Sequence, residues 1–452
     1  MRPRPLSAVA GATGGRVEGD DVTVTGAAAD SREVRPGDLF VALPGDRVDG
    51  HDHVPAALAA GAAAALVSRE GSRGPAVVVP DTRRGLLDLA RDERRAIEAE
   101  VIGITGSTGK TSVKDLTAAV LGARYRVAAS PRSYNTEVGV PLTVLSAEAS
   151  TEVVVCEMGS RGPGHIRLLC DVARPGVGVV TNVGVAHMEM FGSPGAVADA
   201  KAELVEALPP EGVAVLNADD GVVRGFAERT EARAVLFGTS GDADVRGEHL
   251  TLDAMGRPSF TLRTPDGAEQ VELAVSGEHM AWNALAASAC GVAMGLSVGE
   301  CAAALKEARV SPWRMDVFEG SDGVTVVNDA YNANPASMAA ALKAARWIAA
   351  GRRCVAVLAH MAELGDIAGE EHERVGELVA RLGIDELVVV GPAARRIAAG
   401  AVREGVEPDR VTSVDSVDEA LGAVRRVTRP GDVVLIKGSR VAGLERLAEA
   451  LR

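Results

Sequence analysis

Aromatic side chains are scarce in this sequence: three Trp, three Tyr and six Phe, or 3% of 452 residues. Proteins that hold single-stranded nucleic acid stack its bases on aromatic rings, so the shortage disfavours that class. Positive charge is also in deficit. Forty-eight basic residues face 62 acidic ones, a net charge of −14 at pH 7. That works against a broad surface for a nucleic-acid backbone, though not against a local basic pocket for an anionic small molecule. Cysteine is rare. Cys156, Cys170, Cys290, Cys301 and Cys354 are scattered, odd in number and without a C-x-x-C pair. Such usage predicts reduced, buried thiols in a cytoplasmic protein. Long apolar runs are missing too. The longest, "AALAAGAAAALV" from Ala56, falls short of a membrane span and reads as a helix running into a buried strand. Arg2 and Arg4 precede only the short run "LSAVAGATGG", which predicts a first helix ending at glycine rather than a signal peptide.

What is present is a long, Ala-, Gly- and Val-rich chain with 47% hydrophobic residues, the make-up of two or three globular domains. Three α/β segments are expected: 1–98, 99–310 and 311–452. The first holds "DLFVAL", a strand between two "PGD" turns, and closes with the charged helix "RRGLLDLARDERRAIEAE". The second holds "VIGIT", "TEVVVCEMG", "GVGVVTNVG" and "GVAVLNADD", buried-type strands separated by helices. This is the pattern of a parallel sheet with right-handed crossovers. From Arg233 to Val275 shorter strand-like pieces suggest an antiparallel edge. The third holds "GVTVVNDAYN", "RCVAVLAHM", "DELVVVG" and "GDVVLIKGS", in outline a Rossmann-like sheet but without G-x-G-x-x-G.

The stretch "GITGSTGKTS" (Gly103–Ser112) carries the strongest chemical signal. It resembles the phosphate loop G-x-x-x-x-G-K-[ST], except that Ile104 stands where the first glycine belongs. Gly106, Ser107, Thr108 and Gly109 turn backbone N–H groups toward phosphate oxygens, and the helix that follows adds its dipole. Lys110, expected to be exposed in the loop, offers charge to the terminal phosphates. Thr111 offers a hydroxyl to Mg²⁺. ATP or GTP is therefore expected. Glu157 and His187 each follow a strand of the same sheet, at the edge where ligands gather, and could help position one or two Mg²⁺. Lys201 lies on a helix soon after; alone it reads as a solvated lysine. Asp329 in "NDAYNANPASM" and Lys437 in "KGSR" are strand-end groups suited to ribose and to an anionic substrate.

Together these residues resemble the Mur ligase family, the ATP-dependent amide-forming enzymes of peptidoglycan assembly. The family loop T-G-[ST]-x-G-K-[ST] is matched by Thr105–Thr111, which explains the displaced glycine. "DSREVRPGDLFVAL" resembles the family's uridine-nucleotide domain. "GEHMAWNALAA" resembles its G-x-H-x-x-N-A-x-A helix, and "SPWRMDVF" supplies the arginine expected before the last domain. The resemblance implies a small α/β uridine-nucleotide domain, a central parallel-sheet P-loop ATPase domain and a C-terminal Rossmann-like domain. It implies that Lys110, Glu157, His187 and Lys201 are catalytic, with Thr111, Glu157, His187 and Lys201, the last carbamylated, around Mg²⁺. Asn283, Arg314 and Asp329 would contact adenine, phosphate and ribose. Ser31, Arg32, Asn135, Thr136, Asn332, Asn334 and Lys437 would contact substrate.

Within the family, "YNTEVGVPLTVL", "DAYNANPASM", "MAELGD" and "VLIKGSR" resemble the branch that joins D-Ala-D-Ala to a UDP-N-acetylmuramoyl-tripeptide. The D-N-P-R string of the branch that adds a diamino acid is absent. The family usually has Gly-Asp before the Met of "MAELG", where Ala359-His360 stands here, which leaves room for a ligase with another amine acceptor. A non-catalytic nucleotide-binding protein is the other competing reading, and the intact Lys110, Thr111, Glu157, His187 and Lys201 argue against it. The resemblance implies ATP and Mg²⁺ as cofactors and a cytoplasmic location; composition and run length predict no nucleic-acid or membrane partner, and a monomer is the default expectation.

Overall fold

The structure, a computed structural model, describes residues 1–45, 48–72, 74–184 and 188–452, with only the backbone at 188. Three α/β units follow one another, each built on its own sheet. In the first, Gly26–Ala28, Asp38–Val41, Ala64–Val67 and Ala76–Val78 run parallel, and Arg16–Glu18 closes the edge antiparallel. Asp38–Val41 is buried at every position, because parallel strands covered on both faces need no apolar–polar alternation. The charged helix Thr82–Ala96 begins at Asp81, whose carboxylate accepts the N–H groups of Arg83 and Arg84. Its Leu86, Leu89 and Ala90 join a core that also takes Leu145 and Val172 from the next unit, so the first unit is docked by apolar contact. The first helix, Leu6–Thr13, ends at Gly14 in the left-handed conformation, as expected.

The central sheet runs Val127–Ala129, Val153–Glu157, Glu100–Thr105, Val177–Val180, Val213–Asn217, Arg233–Gly238, Val245–Leu252, Pro258–Thr264 and Gly267–Glu272. The last three form the antiparallel edge anticipated from their short pieces. Strand order reverses around Glu100–Thr105, which lies between strands that come later on either side. A crevice opens at the carboxyl end of such a strand because the crossovers on its two sides leave in opposite directions. The helix Met280–Ala293, buried along nearly its whole length, packs against Lys110–Gly122.

The third sheet runs Asp316–Glu319, Thr325–Asn328, Val433–Lys437, Cys354–Ala359, Glu386–Val390 and Val411–Val414, parallel but for its first strand. All five cysteines are buried free thiols. Burial pushes Cys156, Cys170, Cys290 and Cys354 up to about 12, which keeps them protonated and unreactive. Among the described residues, no helix is long and apolar enough to cross a membrane.

Candidate active site

The carboxyl end of Glu100–Thr105 feeds directly into the glycine loop. Gly106 takes φ 146°, and a Cβ there would lie 1.9 Å from Thr181 Oγ1, so only glycine fits this approach. Thr181, Asn182 and Gly184, beyond the neighbouring strand, pin the loop. Thr181 Oγ1 donates to Thr108 O at 2.6 Å, Thr108 N–H donates to Asn182 Oδ1 at 2.9 Å, and Gly184 N–H donates to Ser107 Oγ at 2.9 Å. Gly109, at φ 82°, ends the loop against Asn283, whose Oδ1 would lie 2.6 Å from a Cβ. The helix Lys110–Gly122 starts there. Its first N–H groups have no intrahelical partner and face the crevice mouth.

Lys110 is not the exposed loop lysine expected from sequence. It is half-buried and turns back to donate to Gly106 O at 2.6 Å. Desolvation lowers its pKa; Glu157 opposes that effect and Arg314 adds to it. Thr111 Oγ1 is the hub of the floor. It donates to Glu157 Oε2 at 2.7 Å, lies 2.7 Å from Ser133 Oγ and accepts from Arg314 Nη2 at 2.6 Å. Glu157, at the end of Val153–Glu157 and 1% exposed, takes a further bond on Oε1 from Asn135 Nδ2 at 2.8 Å.

Lys201 overturns its solvated reading. It is 1% exposed on the helix Pro194–Glu206, and its Nζ has no hydrogen-bond partner among the described residues. Desolvation, reinforced by the nearby charge of Lys110, pushes its pKa well below the usual lysine value; Glu203 offsets this in part. An amine held neutral in this way is a nucleophile rather than a cation. His187 lies outside the described residues.

The third unit faces this floor with its own strand ends. Asp329, after Thr325–Asn328, forms an ion pair with Lys437, at the end of Val433–Lys437. Lys437 Nζ also donates to Asn332 O at 3.0 Å. Asn334 caps the helix Pro335–Ala349 by accepting from Ser337 N–H at 2.9 Å. Arg314 crosses between the units, with its guanidinium 4.1 Å from the ring centre of Tyr331. Its neighbours Trp313 and Met315 both have positive φ, 63° and 53°. All of this encloses one cleft of about 710 Å³.

Three family descriptions match along the chain: "Mur ligase family, catalytic domain" over residues 23–100, "Mur ligase middle domain" over 104–291 and "Mur ligase, glutamate ligase domain" over 313–440. The UDP-N-acetylmuramoyl-tripeptide–D-alanyl-D-alanine ligase of Mycobacterium bovis is 45% identical over 465 aligned positions, covering 93% of this chain and 91% of that one. The chain belongs to the Mur ligase family. A crystal structure of MurF from Acinetobacter baumannii superposes with a TM-score of 0.87 at 28% identity, over 99% of this chain and 98% of the other. MurF ligase from Thermotoga maritima, solved in complex with ADP, gives 0.80 at 30% identity over 95% and 97%.

As a Mur ligase the chain is an ATP-dependent, ADP-forming ligase of three-domain α/β architecture. Of the residues anticipated from sequence, Ser107 to Thr111, Asn135, Thr136 and Glu157 line the cleft on one side. Asn283 lines it beside the glycine loop, and Arg314, Asp329, Asn332, Asn334 and Lys437 line it from the third unit. Gly106 and Lys201 lie behind the wall, and Ser31 and Arg32 lie outside it. Arg32 is held by Asp30, whose pKa that pairing lowers to about 2. The adjacent Glu33 accepts from Arg132 at 3.2 Å and from the Tyr134 hydroxyl, which ties the first unit to the loop carrying Asn135. Sequence reading missed Ser133, Asn182 and Tyr331. Each stands within or beside a quoted stretch, but only the fold turns them toward Thr111, the glycine loop and Arg314.

Proposed function

We propose that this Mur ligase joins the amine of D-Ala-D-Ala to the terminal carboxylate of a UDP-N-acetylmuramoyl-tripeptide, as a cytoplasmic monomer. The work would be divided among units at residues 1–98, 99–310 and 311–452, for the uridine nucleotide, ATP and amine respectively. A carboxylate has no leaving group good enough for direct amide formation, so it must be activated. In the proposed reaction a donor carboxylate oxygen attacks the γ-phosphorus and the bond to ADP breaks, giving an acyl phosphate. The amine nitrogen then bonds to the acyl carbon, loses a proton, and inorganic phosphate leaves.

The loop N–H groups and Lys110 would hold the triphosphate, and Arg314 would meet charge developing on the transferred phosphoryl group. Asn283 and Asp329 would meet adenine and ribose. Asn135 and Thr136 would orient the donor, with Ser31 and Arg32 at its uridine end. Asn332, Asn334 and Lys437 would position the amine. Hard oxygen donors suit Mg²⁺, and the Thr111 hydroxyl and Glu157 carboxylate meet within 2.7 Å. A carbamylated Lys201 would add a further oxygen donor, in keeping with its orphaned, desolvated amine, and His187 is the remaining expected ligand. Bound there, Mg²⁺ would supply charge neutralisation for the phosphates.

The observation that carries this reading is the meeting of Thr111, Glu157 and Arg314 at one point, where the glycine loop faces the third unit. The test is phosphate release by the purified enzyme across a panel of amines. Release should require both the UDP-tripeptide and D-Ala-D-Ala, with a product of matching mass. Equal release without the dipeptide would overturn the acyl-transfer reading; release with a different amine alone would reassign the acceptor.

A further inference from the structure

Three aromatic residues line the cleft: Phe237, Trp282 and Tyr331. Phe237 is buried at 1% exposure in the core beneath, and the ring of Tyr331 is covered by Arg314. Trp282 differs from both. It is partly exposed, packs against the core, and no cation lies over its ring among the described residues. Its indole edge is fixed, with Nε1–H donating to Asp219 Oδ2 at 2.7 Å.

Asp219 is itself held in place. Its carboxylate accepts Thr239 N–H at 2.7 Å, Thr239 Oγ1 at 2.8 Å, Ser240 N–H at 2.9 Å and the Ser240 hydroxyl. Although burial works against the charge, these donors and Trp282 bring its pKa down to about 2, so it stays ionised at neutral pH. A charged acceptor saturated with donors therefore fixes an indole at the cleft wall, one residue from Asn283, which abuts the glycine loop. A rigid, half-open ring beside a triphosphate grip has the features of a base-stacking surface.

The geometry points to Trp282 as the platform for the purine ring of the nucleotide, with Asp219 as the residue that orients it. This rests on the reading of the glycine loop as the phosphate grip, and the two are separated by their ligands. Inorganic tripolyphosphate engages the loop without a base, whereas ADP engages both. The full-length enzyme should show tryptophan quenching with ADP and none with tripolyphosphate, whose binding is followed by competition.

Trp282→Leu should weaken ADP about tenfold or more, the scale of one base–aromatic stack, and leave tripolyphosphate within about twofold. Trp282→Phe keeps a ring and should recover most of the ADP affinity. It therefore separates lost stacking from a damaged wall. ADP binding by Trp282→Leu equal to that of the unaltered enzyme overturns the proposal, and so does equal weakening of both ligands in both variants. Failure of the unaltered enzyme to bind either ligand overturns the loop reading and the platform with it.

Discussion

The central and third sheets present the carboxyl ends of their strands to the same cleft, yet they finish differently. In the third sheet the strand-end lysine, Lys437, is answered from within: Asp329 pairs with it and Asn332 O takes another of its protons. In the central unit Lys201, on a helix, has no hydrogen-bond partner among the described residues, and among them the hydrogen bonds of Lys110 go to backbone carbonyls. A strand edge whose charges are already matched is a positioning surface. The central side, with one amine buried without a partner and another half-buried on carbonyls, suits charge that arrives with a ligand, because an isolated buried ion is costly to keep.

The largest expected effect breaks the central side outright. Lys110→Ala should lower phosphate release by about a thousandfold or more, the scale for losing a preorganised charge at phosphoryl transfer. Its thermal unfolding should be little changed, since among the described residues the side chain's hydrogen bonds go to Gly106 O and Ser107 O. Next, opposite stability responses of two buried lysines would sharpen the contrast. Asp329→Asn strands the Lys437 ammonium and should cost about 3–5 kcal/mol in denaturant unfolding, with Asp329→Asn/Lys437→Met recovering most of it.

Lys201→Met should stabilise the bicarbonate-depleted protein, by about 2–4 °C for each kcal/mol of desolvation relieved, while losing most activity. Added short carboxylates should restore some activity to Lys201→Ala. The pH sign follows. Folded Lys201 has its pKa well below 10.5, so between those values the unfolded chain binds a proton that the folded one does not. Stability therefore rises with pH across that window, and the Met variant should lose that part of the slope. The smallest effect concerns Asp219. Its pKa is lowered from 3.8 to about 2, so its contribution to stability is fully present above 3.8 and is lost as pH falls through about 2, where the carboxylate that holds Trp282 takes up its proton. Tryptophan emission should shift over that range, and Asp219→Asn should abolish the shift.

The same contrast governs what could be read from sequence. "VVVCE", "VGVV" and "VAVLN" were legible as strands because both faces are covered and the apolar runs are continuous. Asp316–Glu319 and Val411–Val414 were not, since edge strands bury too little to leave a pattern. The place of Lys110, Thr111 and Glu157 at the cleft was legible because strand-end and loop context fixes it, whereas the half-burial of Lys110 was not. The burial of Lys201 had a signal that went unused: it shares a helix face with Val197 and Leu204, both buried, at spacings of four and three. The pairs Asp329–Lys437 and Asp219–Trp282 join distant parts of the chain, and no local rule announces such partners.

The run Trp313-Arg314-Met315 ties shape to voltage. Two bulky residues sit in left-handed backbone, an arrangement that costs about 1–3 kcal/mol per residue unless its surroundings enforce it. The cation between them is lodged on Thr111. The positive charge that meets Thr111 therefore sits on a joint whose backbone only its surroundings can enforce, so shape and charge are set at one place.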